Sequence, residues 1–218
     1  MNMIHKPHSR RRVATQQRIV TTALTLIDGG GFDALSMAAL AHAADYTPGA
    51  LYRYFKNKDA IVAAVNVRLL DDLAASLSQV ADAHPSPLHQ IVAMADVWRR
   101  LTQQSPGRAE LFARMLGDAR FHLPMEDAQP VIAAMLAAFA PVAAAFVAAE
   151  QAGQVQPGDA AQRSLALFAG LFGAFSLRKQ ALRAPEYVNS DALAAFVLRS
   201  LLTGWGAAAP SLEDAPWW

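Results

Sequence analysis

Two helix starts lie close together in residues 36–59, and they constrain the fold more than any other feature of this sequence. Ser36 precedes a run of small residues, and Thr47-Pro48 precedes a second short apolar run. Serine and threonine cap the free N–H groups at a helix start, and proline is favoured in the first turn. Asp45 lies between the runs, where the turn needs a left-handed or bridge conformation that aspartate tolerates. The pattern predicts helices over 37–43 and 48–54, joined as a helix-turn-helix.

Helical signals also flank this pair. Gly29-Gly30-Gly31 is expected to end a helix over residues 15–28, and Asn57 to cap a long connecting helix over 59–81. In the connecting helix, apolar residues recur every fourth position, at Ile61, Val65, Leu69, Leu73 and Leu77. Residues 1–12 are basic and show no such period, so we expect a flexible basic arm there.

The charge is unevenly distributed along the chain. Residues 1–58 carry eight Lys or Arg against three Asp, whereas residues 59–218 carry eleven against fifteen Asp or Glu. A basic first quarter followed by a mildly acidic remainder suits a polyanion-binding module joined to a module that binds something else. Chance scatter is the alternative that this charge difference alone does not exclude.

A specific pattern of residues runs through the predicted helix-turn-helix: Leu40-Ala41, Ala44, Thr47-Pro48-Gly49-Ala50-Leu51-Tyr52, Tyr54-Phe55 and Lys58. Over roughly residues 14–65 the chain resembles the DNA-binding domain of the TetR family of bacterial transcriptional regulators. It departs from the family at Asp45, where glycine is usual, and at Tyr46, where a small aliphatic residue is usual. The resemblance implies an all-α fold with an N-terminal three-helix helix-turn-helix DNA-binding domain (13–58), a C-terminal helical-bundle domain for effector binding and dimerisation (59–206), and a tail (207–218).

Candidate DNA contacts follow from the chemistry of the segment. Helix N-termini attract phosphate, and a short helix fits the major groove. Tyr52 is assigned to DNA because Leu51 and Phe55 already supply the buried face; the alternative is a core aromatic. Phe55 is expected to point into the small core. The predicted DNA-binding residues are Ser36, Tyr46, Thr47, Pro48, Gly49, Tyr52, Arg53, Tyr54 and Lys58.

The second domain is predicted to contain helices over 88–104, 107–118, 126–152 with a bend at Pro141, 159–182 and 191–205. Large flexible and aromatic side chains predict an apolar effector pocket, lined by Met94, Trp98, Phe112, Met115, Phe121, Met135 and Phe139. A broad apolar face on the last two helices predicts a dimer interface, formed by Leu165, Phe168, Phe172, Phe175, Phe196 and Leu201. An ordinary monomeric core is the alternative for both sets.

Other function classes find little support in the sequence. There is no cysteine, and no nucleophile–base set, phosphate-binding loop or metal-ligand spacing is visible. No catalytic residue, metal or cofactor is therefore expected. We expect no membrane span, because residues 131–149 are broken by Pro141, and no secretory signal, which favours the cytoplasm.

The sequence thus predicts a ligand-responsive homodimeric regulator, a repressor released from a palindromic double-stranded DNA operator by a small apolar or aromatic effector. The alternatives are a small all-α enzyme acting on an apolar substrate and a helical protein-interaction module.

Overall fold

Helices account for all the regular secondary structure in the computed structural model, which describes residues 7–117 and 123–208. A single 3₁₀ turn, Phe32–Ala34, follows the first helix. The α-helices are α1 (Pro7–Gly30), α2 (Met37–Ala43), α3 (Pro48–Leu51), α4 (Lys58–Ala83), α5 (Pro87–Gln104), α6 (Pro106–Gly117), α7 (Met125–Gln151), α8 (Ala160–Ser176), α9 (Arg178–Arg183) and α10 (Ser190–Gly204). The all-α fold class is confirmed.

The described residues form two compact units. The first comprises those of 1–70 and 105–134, and the second those of 71–104 and 135–218. The first unit therefore contains more than the predicted 13–58 domain, because α6 and the start of α7 belong to it. The tail beyond Ala208 lies outside the described residues.

The first unit is built on α1, which buries Ile19, Ala23 and Ile27. Helix α6 packs against α1 and the 3₁₀ turn. The close approach occurs at Gly107, where an added Cβ would lie 2.2 Å from the Ile27 carbonyl oxygen. Glycine is therefore required at this crossing.

The second unit is organised around the packing of α8 against α10, with α5 in contact with both. Its core contains fully or nearly fully buried aliphatic side chains on each of these helices, among them Ile91, Leu171, Leu198 and Leu202. Trp205 follows α10 and packs edge-on against Phe146 of α7, with ring centroids 5.3 Å apart. These contacts make a helical bundle.

Two of the predicted helix boundaries are wrong, one at the start of a helix and one at the end. Helix α1 begins at Pro7, so residues 7–12 are helical rather than part of a flexible arm. Proline in the first turn costs no hydrogen bond, and the arginines that follow are good helix formers. Helix α3 ends at Leu51, and residues 52–54 continue as turns.

Two further observations concern the helices predicted in the second half of the chain. The helix predicted over 159–182 is divided at Leu177 into α8 and α9. Helix α7 continues through Pro141, in agreement with the single helix predicted over 126–152.

By length and composition alone, Met125–Gln151 and Ala160–Arg183 are apolar enough to cross a membrane. In each of the two segments, 33% of the most apolar window is buried within the chain. Helix α7 buries residues at helical spacing (Ala134, Ala138, Val142, Ala145 and Ala149), and Ala160–Arg183 is interrupted at Leu177. The absence of a membrane partner stays a prediction.

Candidate nucleic-acid interface

Both predicted helix caps are present at the surface of the first unit. The Ser36 hydroxyl accepts a hydrogen bond from the backbone N–H of Ala39 at 3.1 Å, at the start of α2. The Thr47 hydroxyl accepts one from the N–H of Ala50 at 3.2 Å, at the start of α3. Both capping residues are exposed. Two helix N-termini with positive dipole ends therefore face solvent on this domain.

The turn between α2 and α3 adopts the predicted left-handed conformation at Asp45, where φ is 60°. The turn is closed by the N–H of Tyr46, which donates to the carbonyl oxygen of Ala41 at 2.8 Å. Aspartate in place of the usual glycine is accommodated because it is among the few non-glycine residues that tolerate this region. The helix-turn-helix is therefore formed despite the departure.

Helix α3 and the turn after it have a buried side and an exposed side. Leu51 is 0% exposed and Phe55 is 7% exposed, as predicted for the small core. Tyr52 is 52% exposed, so the structure contradicts a core role for this aromatic. Pro48, Gly49 and Arg53 are also exposed. The free side of α3 is therefore accessible to a duplex.

The half-buried rings of Tyr46 and Tyr54 have a structural role that sequence reasoning missed. Their centroids are 5.9 Å apart, and the guanidinium of Arg12 lies 5.7 Å from the Tyr54 ring. The Gln16 side chain donates a hydrogen bond to the Tyr54 carbonyl oxygen at 3.1 Å. These contacts tie α1 to the segment after α3 and orient it. The polar tips of the two tyrosines as DNA contacts stay a prediction.

Lys58 lies at the edge of the same domain. Its ammonium is 4.8 Å from the centroid of the Phe32 ring, and the guanidinium of Arg114, on α6, is 4.9 Å from that ring. Cation–π contacts of this kind hold a cation without neutralising it. The contact of Lys58 with a DNA phosphate stays a prediction.

Lys56 was not predicted as a functional residue, and it has two acidic partners. Its ammonium is paired with Glu126 and lies 3.1 Å from Oδ2 of Asp127. The hydrogen bond to Glu126, followed by that to Asp127, raises the pKa of Lys56 above its ordinary value. The lysine is therefore cationic at neutral pH. No local pattern signals this contact, because its partners lie 70 residues further along the chain.

The predicted effector residues lie in both units. Met94, Trp98 and Phe139 are brought together in the second unit around Phe168, whose ring centroid is 4.9 Å from that of Trp98 and 5.1 Å from that of Phe139. The remaining cavity is about 10 Å³, room for a single water molecule at most. Phe112 and Met115 lie on α6 in the first unit, Met135 lies on α7, and Phe121 lies outside the described residues.

The predicted dimer residues are also divided. Leu165 on α8 and Phe196 on α10 are exposed, by 51% and 66%. Phe168, Phe172 and Leu201 are partly buried. Phe175 is only 7% exposed. It therefore belongs to the core of a single copy, and its prediction as an interface residue is wrong. Helical spacing explains its burial, because Phe175 follows the buried Leu171 by four residues and so shares its side of α8.

A larger, open cleft of about 420 Å³ occurs elsewhere in the second unit, and sequence reasoning did not find it. It is lined by polar residues from the ends of α5 and α10, with Leu182 of α9 at its side. Gln103 donates to Asp191 across it at 2.9 Å. Among the described residues, no group of three or more His, Cys, Asp or Glu could hold a metal ion.

The fold and this surface define an all-α protein with an N-terminal helix-turn-helix domain. Residues 19–65 match the family model described as bacterial regulatory proteins, tetR family. The resemblance of residues 14–65 to the DNA-binding domain of the TetR family is therefore confirmed over this match.

Two curated relatives support this assignment. An uncharacterised HTH-type transcriptional regulator of Mycobacterium tuberculosis is 29% identical over 110 residues, 50% of this chain and 50% of that protein. The HTH-type transcriptional repressor KstR of Mycolicibacterium smegmatis is 29% identical over 99 residues, 45% of this chain and 48% of the repressor. This chain thus spans about half the length of the curated relatives it matches.

A solved structure extends the likeness in fold beyond the N-terminal domain. RolR in complex with the ligand resorcinol has a TM-score of 0.67 at 17% identity, and the match covers 93% of each chain. At this identity the likeness shows the fold alone.

Proposed function

We propose that this protein is a cytoplasmic, homodimeric transcriptional repressor that binds a palindromic DNA operator. The observation that carries the proposal is the set of exposed groups on the helix-turn-helix, which includes two capped helix N-termini, Tyr52 and Arg53. The N-termini and Lys58 would bind phosphates, whereas Tyr46, Thr47, Pro48 and Arg53 would reach base edges. Relatives described as transcriptional regulators favour this function over the enzyme alternative.

The effector is proposed to be a small apolar or aromatic molecule. Met94, Trp98 and Phe139 supply apolar and aromatic side chains around the Phe168 ring, which suit a ligand of this class. Since little space remains there, the effector would enter by displacing that ring, and α7 or α8 would shift. The binding of resorcinol by RolR is a precedent in a protein of the same fold. Release from DNA requires that the effector bind the shifted state more tightly.

Fluorescence anisotropy with a 30-base-pair duplex tests DNA binding directly. We expect affinity to fall steeply with salt, with a log–log slope of about −0.9 for each phosphate neutralised. Selection from a random library should return an inverted repeat with half-sites about 34 Å apart or a multiple of that. Arg53→Ala should weaken binding, whereas Arg183→Ala, the same charge change on an exposed residue of α9, should not. No binding at low salt would overturn the proposal.

A further inference from the structure

The ion pairs of Lys56 connect the helix-turn-helix to the first turn of α7. Lys56 follows α3 closely in the chain, and its side chain is 47% exposed. Glu126 and Asp127 are the second and third residues of α7. All three residues belong to the first unit. A cation beside the proposed DNA surface is therefore held by two carboxylates.

The exposed Glu126 carboxylate does not need Lys56 to be stable where it is, whereas the Asp127 side chain is only 16% exposed and its Oδ2 is buried 3.1 Å from the Lys56 ammonium. Acidic side chains in the first turn of a helix are favoured by the free N–H groups and the helix dipole. The start of α7 is also ordered by its own backbone, because the N–H groups of Asp127 and Ala128 both donate to the Pro124 carbonyl oxygen at 2.9 Å. The pairing therefore constrains Lys56 more than it constrains α7.

The charge balance at this edge opposes DNA binding. One ammonium faces two carboxylates, and the side chain of Glu126 is 73% exposed. The net charge of these three side chains is therefore negative. They belong to a domain whose other exposed cations, such as Arg53, favour phosphate. The pair of Lys56 with Glu126 joins two exposed groups, and ion pairs of this kind are weak. An approaching phosphate can therefore compete with Glu126 for the lysine.

We propose that Lys56 is a further phosphate-binding residue of this protein, and that Glu126 and Asp127 occupy it when no DNA is bound. The first turn of α7 then sets the affinity for DNA by holding or releasing one cation. This inference rests on the proposed DNA-binding function and adds a residue that controls it from outside the helix-turn-helix.

A double-mutant cycle with the full chain tests the inference. Glu126→Gln with Asp127→Asn keeps the polar side chains at the start of α7 and removes both charges. In the wild-type background we expect these changes to tighten duplex binding on the order of three- to tenfold at ~0.1 M salt, with a steeper salt slope by about 0.9. In a Lys56→Gln background the gain should disappear, because the released cation is absent.

The control removes the same charge elsewhere. Asp71→Asn with Glu186→Gln neutralises two exposed carboxylates of the second unit, and binding should stay at the wild-type level. A gain that persists in the Lys56→Gln background would overturn the inference, since it would show general repulsion. The absence of any gain in the wild-type background would also overturn it.

Circular dichroism should show that each variant keeps its helical content. If the double variant does not fold, the cycle is repeated with Glu126→Gln alone. We then expect a smaller gain in duplex affinity, which should again disappear in the Lys56→Gln background. Failure of the proposed DNA-binding function gives a different result from failure of this inference, because the wild-type protein would then bind no duplex at low salt.

Discussion

Adjacent residues at the end of α3 have opposite environments, and this difference forms the proposed DNA-binding surface. Leu51 is fully buried and Tyr52 is half exposed. A helix as short as α3 can bury only one side, so Pro48, Gly49 and Arg53 remain available on the other. The anchoring contacts come from residues that the exposed side does not use: Gln16, which bonds the Tyr54 carbonyl, and Phe55 in the core.

Gly49→Ala tests whether this backbone approaches DNA closely. A Cβ at Gly49 would meet nothing within 4 Å in the protein, and alanine is the better helix former by up to about 1 kcal/mol. We expect the melting temperature to be unchanged or slightly raised, while duplex affinity falls by about tenfold, roughly 1.4 kcal/mol. Unchanged affinity in anisotropy titrations would show that position 49 does not lie against the duplex.

At the scale of elements, the contact of α6 with α1 decides what the first unit contains. Arg108 of α6 forms a two-pronged ion pair with Asp28, with Nη2 2.7 Å from Oδ2 and Nε 2.9 Å from Oδ1. Paired geometry of this kind is among the stronger ionic contacts. Together with the crossing at Gly107, it ties a helix from the middle of the chain to the end of α1.

Gly107→Ala should destabilise the first unit. The added methyl would lie 2.2 Å from the Ile27 carbonyl oxygen, and overpacking of this kind costs about 1–3 kcal/mol. Gly29→Ala is the matched control, because its Cβ would meet nothing within 4 Å. Urea unfolding should show a lower midpoint for the first variant only. Equal midpoints would contradict the close packing of α6 on α1.

At the scale of the whole molecule, large apolar side chains of α8 and α10 are exposed to solvent in a single copy of the chain. Only 33% of the most apolar window of Ala160–Arg183 is buried within the chain. Leu165 and Phe196 are both more than half exposed on helices that pack against each other. A second copy that covers them would form a self-complementary interface, which is the commonest symmetry of soluble oligomers.

Leu165→Glu and Phe196→Glu should each convert a dimer to monomers, because each would bury an unpaired charge in the interface. Sedimentation velocity measures the result directly. Leu182→Glu, at an exposed position of α9 beside the open cleft, should leave the dimer intact. A monomeric wild-type protein would favour the protein-interaction alternative over a homodimeric repressor.

The features that the sequence by itself determined are those whose partners lie within one helical turn. Ser36, Thr47 and Asn57 cap helices by bonding the N–H three residues later, and Asp45 adopts the left-handed turn. Such interactions depend on a few neighbouring residues, so local chemistry specifies them.

Tertiary structure alone decided the contacts between distant segments. Gln16 meets Tyr54 across 38 residues, Lys56 meets Glu126 across 70, and Arg108 meets Asp28 across 80. The break at Leu177 belongs here as well, since the Arg178 guanidinium donates to the Thr102 carbonyl oxygen near the end of α5. These pairings depend on the direction in which each helix returns to the bundle. That direction is set by the packing of whole apolar faces, which no short stretch of sequence contains.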